Sequence, residues 1–179
     1  MAEATRYETW LAAAQQLDQI DGREAWIEDD RSTCYDAVGV RKVTDEMRAA
    51  YLELHRRGLA HSVEIWRRDQ LVGGLYGVQL GACFFGESMF TRVTDASKCC
   101  LAALVARLRL GGFRLLDTQF LTSHLAGFGA VEIPAKDYRA RLSAALSGTS
   151  GDFFAGDEGT VRGAGPSGKR IVQLLSQTS

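Results

Sequence analysis

The sequence predicts an α+β fold: a mostly antiparallel central sheet with helices packed on both of its faces. Three observations lead there. Apolar residues recur at helical spacing in several separate segments. From Ser62 the period changes to two, around a short polar turn. Three strand-like runs then follow with only tight turns between them, and only antiparallel neighbours can be joined so briefly.

In chain order, Tyr7, Trp10, Leu11, Ala14 and Leu17 form one apolar stripe, which predicts a helix over residues 4–17. Residues 18–42 are mixed, with a turn at Asp21-Gly22 and a solvated loop at Glu28-Asp29-Asp30-Arg31. Thr44 is placed to cap a second helix, with Asp45 and Glu46 in the first turn, where the helix dipole favours acids. Met47, Ala50, Tyr51 and Leu54 make its buried stripe, Arg56 and Arg57 its last turn, and Gly58 its stop.

Val63 and Ile65, then Leu71 and Val72, flank Arg67-Arg68-Asp69-Gln70 and predict a hairpin. The second strand, Leu71 to Leu80, contains Gly73, Gly74 and Gly77; glycine weakens a strand, so a bulge or a close approach is expected there. Gly81-Ala82 turns the chain into a third strand from Cys83 to Ser88, with Glu87 at its end. Thr94 or Asp95 caps a helix from Ala96 to Leu110, and Gly111-Gly112 ends it. Phe113 to Asp117 is an apolar strand, Ser123 to Phe128 a short helix stopped by Gly129, Val131 to Ile133 a strand broken by Pro134, and Asp137 to Leu146 a helix. Seven of the 24 residues from 147 to 170 are glycine, which predicts a linker or an arm that needs a partner. Ile171 to Leu175 is expected to add a last strand. Three regions follow: 1–43, a helix and linker; 44–146, the main domain; 147–179, the arm and terminal strand.

The net charge of -1 gives no overall basic footprint, so any nucleic-acid contact must be local. No 18-residue apolar run exists and the first residues lack a signal-peptide pattern, so a cytoplasmic protein without membrane contact is expected. Cys34, Cys83, Cys99 and Cys100 form no C-x-x-C pair, which predicts reduced thiols and no metal site. No heptad or apolar surface stripe calls for a partner copy, so a monomer is expected.

Glu87 and Asp117 each end a strand-like apolar run. Burying an unpaired carboxylate is expensive, so the two strand ends are expected to meet and form a polar site. The plainer alternatives are an ion pair of Glu87 with Arg92 or Lys98, and Asp117 as the cap of the Thr122–Phe128 helix.

The runs His61-Ser62-Val63-Glu64-Ile65-Trp66-Arg67, Leu71-Val72-Gly73-Gly74-Leu75-Tyr76-Gly77-Val78 and Phe85-Gly86-Glu87-Ser88-Met89-Phe90 strongly resemble the leucyl/phenylalanyl-tRNA–protein transferases. The resemblance continues through Asp95-Ala96-Ser97-Lys98, Leu116-Asp117-x-Gln119 and His124-Leu125-Ala126-x-x-Gly129-Ala130-x-Glu132-Ile133-Pro134. It implies a fold like that of the GNAT acetyltransferases and transfer of an aminoacyl group from aminoacyl-tRNA to an amine. It implies that Asp117 assists attack by the amine, with Gln119 and Glu87 beside it. It also implies that Leu75, Phe84, Met89 and Leu116 line the pocket for the aminoacyl side chain, with Ser88 as a further substrate-binding residue.

The chemistry of these residue types agrees. An aminoacyl ester is already activated, so neither cofactor nor metal is expected. A carboxylate can take the proton that the amine must lose, and an amide side chain can orient a group or stabilise an oxyanion. Apolar residues, Met among them, suit a hydrophobic aminoacyl group of variable shape.

The resemblance covers the C-terminal part of those transferases. The roughly 43 residues before it do not resemble the family's tRNA-contacting domain, a family tryptophan near position 42 is replaced by Lys42 or a neighbour, and the arginine after Ile-Pro is Ala135, with Lys136 next. A short form is therefore expected, with a small-molecule amine as acceptor and a protein N-terminus as the alternative. Arg56, Arg57, Arg67, Arg68, Arg92 and Lys98 are the candidates for a basic tRNA surface. Two other readings compete: an acyl-CoA-dependent N-acetyltransferase, which usually offers a Gly-rich loop at a helix start where this chain has Arg92-Val93-Thr94-Asp95, and a non-catalytic binding module.

Overall fold

A computed structural model describes residues 45–155 and 168–176. The helix expected over 4–17, the 28–31 loop, Cys34, Lys42 and the Thr44 cap lie outside them.

The first described element, α1 (Asp45–Arg56), ends as its sequence predicts. Gly58 takes φ 72°, its N–H reaches His55 O and the Leu59 N–H reaches Leu54 O. That is a Schellman closure, and glycine is the residue that enters its left-handed position without strain. The expected stripe is buried only in part. Tyr51 and Leu54 are half-buried, whereas Met47 and Ala50 are exposed, because α1 meets the sheet through its second half, with Tyr51 edge-on to Tyr76 at 5.1 Å.

A four-stranded sheet follows in the order β1 (Ala60–Arg67), β2 (Gln70–Leu80), β3 (Cys83–Thr91), β4 (Leu115–Asp117). The first three strands are antiparallel; β4 pairs parallel to β3, with Phe85 beside Asp117. The parallel step requires a long crossover, and α2 (Ala96–Leu110) supplies it. Val63, Leu75 and Met89 align across one face, and Ser62, Tyr76 and Ser88 across the other.

The two faces carry different layers. Gly73 lies against α2: a Cβ there would stand 2.6 Å from the Ala96 Cβ. A Cβ on Gly77 would collide first with the Phe85 backbone oxygen of the paired strand and then with the Phe84 ring at 2.5 Å. The strand glycines are thus explained by close packing, helix on sheet at Gly73 and ring on strand at Gly77. The main core lies on this face, between the sheet and α2, and takes in Val63, Leu75, Phe84, Leu101 and Leu104. The opposite face receives α1 and α4 (Ala135–Ser147), where Ala145 and Leu142 pack on Cys83, Phe85 and Leu115. The α+β class and the two-sided helix packing stand as the sequence predicts.

Several local readings need correction. Asp95 precedes α2 but does not cap it: it has φ 66° and makes no side-chain cap bond, because its carboxylate pairs with Lys98. Residues 131–133 pair with no strand; Val131 and Glu132 are exposed, and Pro134 leads directly into α4. Ile171 to Leu175 is helical, within α5 (Gly168–Ser176), rather than a strand. Ile171 and Leu175 are four apart and both buried, a helical period, and Arg109 of α2 donates to Leu174 O at 3.1 Å. The first part of the glycine-rich stretch is an ordered arm. Its Gly151 and Asp152 N–H groups bond Gly81 O and Gly111 O. Phe153 is buried and stacked on His61 at 4.2 Å, and Arg107 donates to Phe153 O at 2.6 Å.

Candidate active site

The parallel pairing of β3 and β4 sets Asp117, at the end of β4, beside β3. Glu87 lies within β3 and not at its end, because the pairing with β2 carries β3 on to Thr91. Between β2 and β3 the register shifts: Gly77 pairs with Gly86 but Tyr76 pairs with Ser88, so Glu87 is the extra residue of a β-bulge. A bulge frees a side chain from the alternation of its strand, and Glu87 turns toward the chain leaving β4. There Gln119 takes φ 63°, a left-handed turn that points its amide back at β3. Gln119 Nε2 donates to Gly86 O and to Glu87 Oε2, each at 3.1 Å.

Asp117 closes the arrangement. Its Oδ1 accepts the Gln119 backbone N–H at 2.8 Å, and its Oδ2 accepts the Tyr138 hydroxyl at 2.6 Å. One residue, Gln119, therefore holds both carboxylates, Asp117 through its backbone and Glu87 through its side chain. The bond to Asp117 also pushes the Tyr138 phenol up to about 12, because a phenol that donates to a carboxylate resists losing its proton. Tyr138 was not singled out from the sequence. Its signal was its position in the stripe Tyr138, Leu142, Ala145, spaced by four and three along α4.

The plainer roles for the acids are filled by other residues. Thr122 caps α3 (Ser123–Gly127), its Oγ1 accepting from Leu125 N at 3.2 Å. Lys98 pairs with Asp95, and Arg92 lies over the Phe90 ring at 5.8 Å.

Asp117, Gln119 and Tyr138 line a cleft of about 1000 Å3 together with Leu116, Leu121 and Val131. Arg109, Arg114 and Arg141 also border it, cations that the sequence reading did not group. Of the six basic residues proposed for a tRNA surface, none borders this cleft; Arg56 and Arg57 pair with Glu53.

The expected aminoacyl pocket residues are distributed as follows. Leu75 pairs with Met89 and Phe84 with Leu116. Leu75 and Phe84 are buried in the main core, Met89 and Leu116 pack against it half-buried, and Leu116 reaches the cleft. Ser88 points to the other face, the one that Asp117 shares. No group of metal-ligating side chains occurs among the described residues, and no described helix is long and apolar enough to cross a membrane.

Another half-buried glutamate does not belong to this set. Glu64 on β1 accepts from Trp66 Nε1 at 3.0 Å and Ser62 Oγ at 3.5 Å. Burial outweighs these bonds and raises its carboxyl to about 7.

Comparison with known proteins matches residues 32–143 to the family model described as leucyl/phenylalanyl-tRNA protein transferase. Among curated relatives, the leucyl/phenylalanyl-tRNA–protein transferase of Ruegeria pomeroyi is 56% identical over 137 residues, covering 76% of this chain and 61% of the relative. The same-named protein of Rhizorhabdus wittichii is 52% identical, covering 76% of this chain and 65% of the relative. That of Caulobacter vibrioides is 58% identical over 129 residues, with 72% and 56% covered. The chain thus spans about three fifths of the length of these relatives.

Proposed function

This chain belongs to the leucyl/phenylalanyl-tRNA protein transferase family, and from that premise we propose that it moves a hydrophobic aminoacyl group from aminoacyl-tRNA to an amine. The observation that carries the reading is the pair of carboxylates joined through Gln119, with Asp117 and Gln119 themselves at the wall of an open cleft of mixed polar and apolar lining. The acetyltransferase-like fold implied by the resemblance is part of the same proposal.

The reaction needs no co-reactant. The amine nitrogen attacks the ester carbonyl carbon, a C–N bond forms, and the carbonyl oxygen carries the charge of a tetrahedral intermediate. On collapse the C–O bond to the terminal ribose breaks. The proton lost by the amine is balanced by the proton gained by the departing ribose oxygen. Asp117 handles that proton: each of its oxygens holds one donor and keeps a further lone pair. Gln119 commits its N–H groups to Gly86 and Glu87, so its role is to orient Glu87, while its carbonyl oxygen is left to accept from the incoming amine. Leu116, with Leu75, Phe84 and Met89 in the core cluster behind it, supplies the apolar wall for the aminoacyl side chain.

The relatives' names specify a protein as acceptor, and a protein N-terminus is the acceptor we favour over the small-molecule amine expected from the sequence. Against acyl-CoA as donor stands the start of α2, where Arg92-Val93-Thr94-Asp95 offers no Gly-rich loop and puts an acid, Asp95, at the helix N-terminus. The test offers the protein leucyl- or phenylalanyl-tRNA and, separately, acetyl-CoA, with an acceptor peptide or a panel of small amines. Amide formation on the peptide from the charged tRNA supports the reading. Transfer from acetyl-CoA alone overturns the donor, and transfer only to small amines overturns the acceptor.

A further inference from the structure

We propose that Tyr138 is a positioning residue for the transfer, fixing the orientation of the Asp117 carboxylate through the oxygen that Gln119 does not hold. The inference rests on the transfer reading above and adds a residue to it.

The terminal torsion of an aspartate is broad and nearly two-fold. A single donor on one oxygen leaves the carboxylate free to swing about that contact. Donors on both oxygens remove the freedom and fix which lone pairs face the cleft. In this fold the first donor is local, the Gln119 backbone N–H at 2.8 Å, and it comes with the turn after β4. The second is not local. Tyr138 lies 21 residues on, in the first turn of α4, and reaches Asp117 at 2.6 Å. Its placement is built by packing. Leu142 and Ala145 follow it along the same stripe and seat α4 on Cys83, Phe85 and Leu115, the strand neighbours of Asp117. The phenol stays protonated across the neutral range, so it remains a donor wherever the enzyme would work. A hydrogen bond that served only to fasten α4 would not need a charged acceptor at the cleft wall.

The test is Tyr138→Phe, which keeps the ring and removes the hydroxyl, beside Leu142→Ala, which loosens the same helix and leaves the hydroxyl in place. Each is assayed with charged tRNA and acceptor peptide well below its melting temperature. The expected result is a fall of about tenfold or more in kcat for Y138F, with KM for charged tRNA within about twofold. For L142A the expected result is a lower melting temperature with a kcat loss clearly smaller than that of Y138F, because the hydroxyl is still there to reach Asp117. Unchanged kcat in Y138F overturns the proposal. So does an equal kcat loss in L142A, or an insoluble Y138F, since either makes the contact one of fold only. An active wild type with an unaffected Y138F refutes this inference alone; an inactive wild type refutes the transfer reading and this inference with it.

Discussion

Gln119→Glu tests the polar site at its joint. The change is nearly isosteric, but it replaces the Nε2 donor by a carboxylate oxygen. In the wild type that nitrogen lies 3.1 Å from Glu87 Oε2 and 3.1 Å from Gly86 O. The substitution therefore turns two attractive contacts into two repulsive ones and sets a third acid between Glu87 and Asp117. Two like charges about 4 Å apart repel by about 1 kcal/mol in water and about 4 kcal/mol near a protein surface. Gln119 is exposed, so the lower figure applies, about 1 kcal/mol, worth about 2–4 °C in melting temperature for a chain of this size. The sign with pH is definite. The new carboxyl is raised in the folded state by its acidic neighbours. The folded state then binds the proton better, and stability is lost as pH rises above the unfolded value near 4.3. Thermal melts of the two proteins should coincide near pH 4 and separate by pH 7, and 1 M salt should narrow the gap by screening. Transfer activity at pH 7 should fall by about a hundredfold, because Glu87 loses its orienting donor. Equal melting curves at pH 7, with wild-type activity, would refute the bond between Gln119 and Glu87.

Two further predictions concern the frame around the site. Glu64, raised to about 7 by burial, weakens the fold as pH climbs from its unfolded range near 4.5 toward 7. Glu64→Gln should remove that slope and raise stability at pH 8 by on the order of 1–3 kcal/mol, read by urea melts at pH 5 and pH 8; a gain equal at both values would contradict the assignment. Gly73→Ala should destabilise by about 1–3 kcal/mol, because its Cβ would stand 2.6 Å from Ala96. Adding Ala96→Gly should restore part of the loss in the same melts, and a tolerated Gly73→Ala would show that α2 does not lie so close.

What the sequence made legible follows local signals. The hairpin at Arg67–Gln70, the α2 span and the Gly58 stop each depend on residues a few positions apart, and each appears as predicted. Glu87 and Asp117 were legible for a different reason: charges in apolar strands have few inexpensive places to go, although only Asp117 ends its strand and Glu87 lies inside β3. What escaped was set by distant packing. The bulge that frees Glu87 falls where Gly77 of β2 pairs with Gly86 of β3, so the β2 glycines marked the place, but which strand carries the extra residue is set by the pairing. Tyr138 reaches Asp117 because α4 docks on β3 and β4, a contact visible only once the layers are assembled. The segment Ile171–Leu175 was misread because five apolar-rich residues fit either period. Contact with α2 decides it, burying Ile171 and Leu175 four apart. The apolar set Leu75, Phe84, Met89 and Leu116 shares one face of the sheet and one core cluster, but the four differ in depth, with Phe84 fully buried and Leu116 at the cleft.

The most direct measurement is amide formation by purified Asp117→Ala beside the wild type, with phenylalanyl-tRNA as donor and an acceptor peptide, after circular dichroism has matched the two folds. The account predicts a new N-terminal phenylalanyl amide with the wild type and a loss of at least a hundredfold in kcat with the variant. Wild-type rates in Asp117→Ala, with the fold intact, would contradict it.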